Sequence, residues 1–319
     1  MWRIILKKVY DGIIGLAIGD ALGVPVEFKS RQEIAENPVV SMREYGTHNQ
    51  PIGTWSDDTS LTLALIDSII EKNKIDYVDI MDRFSNWLMY NDYTARGEVF
   101  DVGNATSRAI MNYGRGIDPL ECGGISEYEN GNGSLMRILP IAYYLQKQKD
   151  NKMESKMEIV HNVSALTHRH PISLIACGIY VNVALRLLKI EESLYVCVEQ
   201  GISEAFEFYD TEMPDEADNY NRLRNLSSFS NLAEEEIKSS GYVVDTLEAS
   251  IWCLLNTNSY KECVLKAVNL GNDTDTVGSV VGGLAGIYYG SDDIPEEWLD
   301  VLVRRQYIEE LCEKLQKIG

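Results

Sequence analysis

Two short acidic clusters hold the residue types best suited to chemistry in this sequence, Ser56-Asp57-Asp58-Thr59 and Asp273-Thr274-Asp275-Thr276. Each stands directly ahead of an apolar segment with helical periodicity, Thr59–Glu71 and Thr276–Tyr289. Helix capping accounts for one such cluster alone, since Asp, Ser and Thr accept from free N–H groups and carboxylates favour the positive end of the helix dipole. Two clusters beside helices that must be interior ask for more. Four buried aspartates in one place would repel one another and take up protons unless a cation joined them. Oxygen donors with no Cys and little His suit Mg²⁺ or Mn²⁺ rather than zinc. Were the clusters to meet, two ions bridged by a shared carboxylate would be suited to activating water. They lie near opposite ends of the chain, and the sequence leaves open whether they do.

A third element is the run Gly131-Asn132-Gly133-Ser134. A glycine-rich run is more often a plain turn than a site. Here it precedes a predicted helix over Ser134–Gln146, where free N–H groups can hold an anion even in an acidic protein. Arg137, just inside that helix, has two open readings: contact with a phosphate, or an internal salt bridge to a core carboxylate.

The elements that must position these groups are helical. Tyr10–Gly23 carries Gly12, Gly15, Gly19 and Gly23 at three- and four-residue spacings, a small-residue stripe that admits a second backbone. Further helices are predicted over Tyr77–Tyr90, Asn104–Tyr113, Met153–Leu166, Pro171–Lys189, Glu192–Phe208, Asp245–Leu255, Tyr260–Leu270 and Glu296–Lys317. Gly278, Gly282, Gly283 and Gly286 read as a second close-packing face. Pro38–Met42 and Gly241–Val244 are the only strand candidates. Residues 209–240 are acidic and rich in Asn and Ser, and read as a long connection with one or two weak helical turns. A length of 319 residues allows two domains of roughly 150 residues or one large one. Because both acidic clusters are needed in one site, the expectation is a single all-α domain over residues 1–319.

Composition bounds the rest. With 29 basic and 49 acidic residues the net charge is −20, and repulsion opposes any general affinity for nucleic-acid backbones. A hydrophobic share of 45% and a charged share of 24% are those of a globular protein. No apolar run is read as long enough to span a bilayer, which predicts no membrane partner. The start MWRIILKKVYDG has too short an apolar core for a signal peptide, and six scattered cysteines fit reduced thiols. A cytoplasmic location is expected.

Taken together, the motifs GIIGLAIGDALGVPVEF, GTWSDDTSLTLAL, FDVGNATSRAI, NGNGSLMRILPIA, ALTHRHP and NLGNDTDTVGSVVGGLAGIYYG follow one another from residue 12 to residue 290. In this order the sequence resembles the ADP-ribosylglycohydrolase family. The resemblance implies one large orthogonal helical domain with a binuclear Mg²⁺ or Mn²⁺ centre at the base of a central cleft that binds ADP-ribose. It implies metal ligation by Asp57, Asp58, Asp273, Asp275 and Thr276, with Ser56 standing where many relatives have Thr. Glu27 matches a carboxylate implicated in catalysis, and Asp101 and Asn104 match an Asp-x-Gly-Asn element beside the scissile bond. Gly131, Asn132, Gly133 and Ser134 match the loop that holds the phosphates and proximal ribose, and His168 matches an active-site histidine.

The implied function is metal-dependent hydrolysis that removes ADP-ribose from modified protein side chains. ADP-ribose would be the product and an ADP-ribosylated protein the partner. Breaking the bond at the anomeric carbon passes through an oxocarbenium-like state, which needs activated water, held ribose hydroxyls and a proton for the leaving group. Glu27 and Asp101 are the expected acid/base and orienting groups. The Asp-x-Gly-Asn element leans toward the arginine N-glycosidic linkage. The alternatives are O-linked ADP-ribose on serine, poly(ADP-ribose), O-acetyl-ADP-ribose or a free ADP-ribosyl compound, and, outside hydrolysis, a non-catalytic ADP-ribose binding protein.

Overall fold

A computed structural model describes residues 2–150, 152–189 and 192–318. The described helices are α1 Trp2–Gly23, α2 Arg31–Glu36, α3 Asp57–Lys72, α4 Tyr77–Tyr90, α5 Asn104–Gly114, α6 Leu139–Gln146, α7 Met153–Ala165 and α8 Pro171–Lys189. They continue with α9 Leu194–Glu212, α10 Pro214–Ala217, α11 Leu226–Ser230, α12 Val243–Leu255, α13 Tyr260–Asn269, α14 Thr274–Tyr289, α15 Glu296–Val301 and α16 Arg305–Gln316. Among the described residues there is no strand, only isolated bridges such as Tyr45 with Gln50 and Gly131 with Tyr242. The architecture is all-α.

The centre of the fold is the antiparallel pair α1 and α14, joined along the glycine stripes. A Cβ at Gly15 would overlap the Gly282 carbonyl, and one at Gly19 the Gly278 carbonyl. Only glycine allows backbones this close. At the end of the seam Gly23 lies against Asp275, and Thr274 Oγ1 donates to the Gly23 carbonyl at 2.8 Å. The stripe legible in the sequence therefore sets where the second acidic cluster stands.

α3 is set by the same post. Asp20 of α1, fully buried, accepts from Ser56 N–H at 2.9 Å, Thr59 N–H at 3.1 Å and Thr59 Oγ1 at 2.6 Å. Ser56 caps α3, its hydroxyl accepting from Asp58 N–H. Both acidic clusters thus hang from one helix.

Several boundaries differ from expectation. The predicted Ser134–Gln146 helix begins only at Leu139, with turns before it, because Pro140 belongs in a first turn. Glu296–Lys317 is broken: Leu302 is extended and Arg304 takes a left-handed φ of 55°. The break frees Val303 to donate its N–H to Gly53 O at 3.0 Å and to accept from Trp55 Nε1 at 2.9 Å. Neither strand candidate forms; Pro38–Met42 is irregular and Gly241–Val244 runs into α12. The 209–240 stretch is more structured than a loop with one or two turns. It contains α10, α11 and further short turns, and buries Tyr209, Tyr220, Leu223 and Phe229.

Two segments, Lys7–Val26 and Pro171–Lys189, are long and apolar enough to cross a membrane by length and composition, contrary to the reading of the sequence. Both are largely buried inside the fold, 94% and 83%, as core helices are.

Candidate active site

The two acidic clusters meet. Thr276 Oγ1 donates to Asp58 Oδ1 at 3.4 Å, and carboxylate oxygens of Glu27, Asp273 and Asp275 gather within 4.8 Å of one another. Glu27 follows the turn that ends α1, and the backbone locks it to the second cluster. Phe28 N–H donates to Asn272 O at 2.6 Å, and Asn272 N–H donates to Lys29 O at 2.7 Å. Phe28 and Asn272 both adopt left-handed φ near 60° to make this crossing, 64° and 62°.

Ser56, Asp57, Asp58, Asp275 and Thr276 are all buried. Burial and neighbouring carboxylates drive the Asp57, Asp58 and Asp275 carboxyls far above the ordinary range. Burial likewise pushes Asp20 up to about 6 and Glu27 up to about 7. Among the described residues Asp58 Oδ2 and Asp275 Oδ2 make no hydrogen bond of ordinary geometry, although Ser279 lies close enough to Asp58 to lower its carboxyl somewhat. Buried carboxylate oxygens left unsatisfied among like charges are a costly arrangement that a bound cation resolves. An all-oxygen donor set of carboxylates and hydroxyls fits a hard divalent ion. These residues could hold metal.

Above them opens a cleft of about 400 Å³ lined by Glu27, Asp57, Asp101, Asn104, Gly131, Asn132, Gly133, His168, Asp273 and Thr276. Asp101 has a left-handed φ of 49°, a region that the short polar side chains of Asp and Asn enter more readily than most. Burial and repulsion from Asp273 raise its carboxyl. Asn104 opens α5 at the cleft's exposed edge.

On the opposite wall Asn132 bridges the loop to the acidic centre. Its Nδ2 donates to Asp273 Oδ2 at 2.8 Å and to Thr246 Oγ1 at 2.9 Å, while its N–H donates to Gly241 O. Ser134 behaves differently: its hydroxyl is fully buried, hydrogen-bonded to Ser164 Oγ at 2.8 Å and facing Cys177 Sγ, so its side chain does not line the cleft. His168 is buried behind the loop, and burial near Arg137 lowers it to about 3. Among the described residues Arg137 meets neither a phosphate-facing surface nor a carboxylate. It is fully buried, donates to Val163 O and Thr167 Oγ1, and lies over Phe84 at 4.8 Å.

Two residues of the site have no role in the sequence reading. Asp20 had a signal, since a lone carboxylate on a glycine-striped buried face needs partners. His48 had none; it ends a single 3-10 turn, Gly46–His48, pairs with Glu27 and packs between Phe28 and Phe100. The Glu27 bond raises its pKa.

A helical scaffold that buries converging carboxylates under a ligand-sized cleft has the form of an enzyme active site suited to a hard metal ion. The ADP-ribosylglycohydrolase family model matches residues 2–318, and the chain belongs to that family. Its ADP-ribosylarginine hydrolase relative from Serratia proteamaculans is 31% identical over 97% of this chain and 79% of its own length. The ADP-ribosyl-[dinitrogen reductase] glycohydrolase of Rhodospirillum rubrum is 31% identical over 92% of this chain and 90% of its own. A solved ADP-ribosylglycohydrolase-related protein complex matches with TM-score 0.79 and 29% identity, covering 99% of both chains. The protein is an ADP-ribosylglycohydrolase.

Proposed function

We propose that this chain, acting as one domain over residues 1–319, hydrolyses the N-glycosidic bond between ADP-ribose and arginine on a modified protein in the cytoplasm. The observation that carries the reading is the meeting of two distant acidic clusters, with orphaned carboxylate oxygens, at the base of the cleft. Relatives named for ADP-ribosylarginine support the linkage. So does the chemistry of the mouth, where Glu27 and Asp101 would attract a guanidinium.

Asp57, Asp58, Asp273, Asp275 and the hydroxyls of Ser56 and Thr276 would hold two divalent ions, Mg²⁺ or Mn²⁺. Such ions, when bound, supply a more acidic water and chelation of the ribose 2′- and 3′-oxygens. Gly131, Asn132 and Gly133 hold the diphosphate and proximal ribose, with the buried Ser134 shaping the turn. Asn104 orients the substrate at the rim. Water adds to the anomeric carbon as the bond to the guanidine nitrogen breaks. Glu27 and Asp101 divide the remaining work, one moving the water's proton toward the leaving nitrogen and the other orienting the sugar.

The test is ADP-ribose release from arginine- and serine-modified proteins side by side, with Mg²⁺, with Mn²⁺ and with chelator. Metal-dependent release from arginine alone is the expected result. Release from serine alone would overturn the linkage, and release undiminished by chelator would overturn the metal.

A further inference from the structure

His168 sits at the back of the cleft with its Nδ1 turned inward and its Nε2 toward the Gly131–Gly133 turn. Thr167 Oγ1 lies 2.8 Å from Nδ1 and accepts from Arg137 Nη2 at 2.7 Å. The guanidinium only donates, so the hydroxyl must accept there. The hydroxyl has one proton of its own, and among the described residues no acceptor other than Nδ1 engages it. Were Nδ1 the donor instead, a hydroxyl proton would be left unpaired in the core, because Thr167 is fully buried. The direction of the chain follows: Arg137 to Thr167 to Nδ1, which leaves the ring proton on Nε2.

We infer that Arg137 and Thr167 are positioning residues that hold His168 in its Nε2–H tautomer, as a fixed donor to an acceptor oxygen of ADP-ribose. Three further observations agree. Nε2 has no protein partner among the described residues and borders the cleft. A Cβ at Gly133 would stand 2.8 Å from the ring's Cε1 and one at Gly131 3.5 Å from Nε2, so side chains there would crowd the ring edge. The backbone is pinned as well, with His168 N–H donating to Ser164 O at 2.8 Å and Ser164 Oγ donating to His168 O at 3.0 Å. Burial and the nearby Arg137 charge oppose a second ring proton. Arg137 itself has no ion pair among the described residues, so its buried charge is spent on Val163 O, Thr167 and the Phe84 ring.

The ligand in this inference rests on the proposed function; the tautomer does not. The experiment uses the full chain with Mg²⁺, labelled with ¹⁵N-histidine, the His168 signals being those lost in His168→Gln. Wild type is expected to show one tautomer with the proton on Nε2. Thr167→Val should lose that single pattern and bind free ADP-ribose about tenfold more weakly by calorimetry, as for loss of one aligned hydrogen bond. Thr167→Ser should restore both, which a merely structural role would not require. Arg137→Met, if it folds, should resemble Thr167→Val. A proton on Nδ1 in wild type, averaged tautomers, or an unchanged Thr167→Val spectrum overturns the relay. Unchanged ADP-ribose affinity in His168→Phe, whose ring cannot donate, overturns the donor role. Failure of wild type to bind ADP-ribose, with the Nε2–H pattern intact, overturns the proposed function and leaves the relay standing.

Discussion

On one side of the cleft Asp58 and Asp275 bury carboxylate oxygens that have no hydrogen-bond partner among the described residues. On the other, Asn132, Thr167 and Ser164 share their donors and acceptors among loop, helix and His168. Among the described residues the first wall leaves charged oxygens unmet, while the second meets most of its polar groups within the chain, His168 Nε2 and Arg137 Nε apart. A wall awaiting a cation stores repulsion in the metal-free fold. A wall already bonded supplies rigid donors at no further cost of reorganisation.

That contrast can be broken by substitution, and the largest effects belong to the acidic wall. Asp58→Asn or Asp275→Asn should abolish ADP-ribose release and divalent-ion binding together, while raising the melting temperature of the metal-free protein by removing a repelling charge. Full activity in either variant, by product release assay, would sink the proposed metal centre.

Next comes the pH dependence of the metal-free fold. Asp20, Glu27, Asp57, Asp58 and Asp275 are all held above their ordinary range in the folded state. The folded chain therefore binds protons that the unfolded chain releases. The stability they contribute is full below the ordinary carboxyl range and is lost as pH rises through the folded values, about 6 for Asp20 and about 7 for Glu27. Thermal melts with chelator should fall by several degrees from about pH 5 to about pH 7.5. Saturating Mg²⁺ should cancel or reverse the fall, because the ion prefers ionised ligands. A metal-free melt that is flat over this range would refute the stored repulsion.

Gly19→Ala sharpens the same comparison from the scaffold side. Its Cβ would meet the Gly278 carbonyl, which is backbone and cannot rotate away. A loss of about 3 kcal/mol in urea unfolding is expected, with weaker metal binding because the seam sets Asp275. At the small end, Asp210→Asn removes a surface partner of Arg224 and should cost about 0.5 kcal/mol with no change in ADP-ribose release.

Helix periodicity made most of the fold legible. Tyr77–Tyr90 and Pro171–Lys189 coincide with α4 and α8, because uninterrupted apolar spacing and clear start signals leave a local pattern one outcome. The sequence reading failed where a distant partner decides. Arg304 breaks the last predicted helix so that Val303 can reach Gly53 and Trp55, and no residue nearby announces it. The acidic 209–240 stretch looked like a solvated connection. Yet Ser239 O, at its end, accepts from Asp273 N–H at 3.0 Å and helps fix a site carboxylate.

The site divides in the same way. Residue type and local spacing alone determined that Asp57, Asp58, Asp273 and Asp275 are hard-oxygen groups at helix starts and that the glycine stripes demand a close neighbour. Only the tertiary structure decided that the two clusters share one centre, that Arg137 faces a threonine rather than a carboxylate, and that His48 meets Glu27. Periodicity and capping are short-range and written in adjacent residues. Which oxygen goes unsatisfied depends on every group packed around it, and that is known only once the chain has folded.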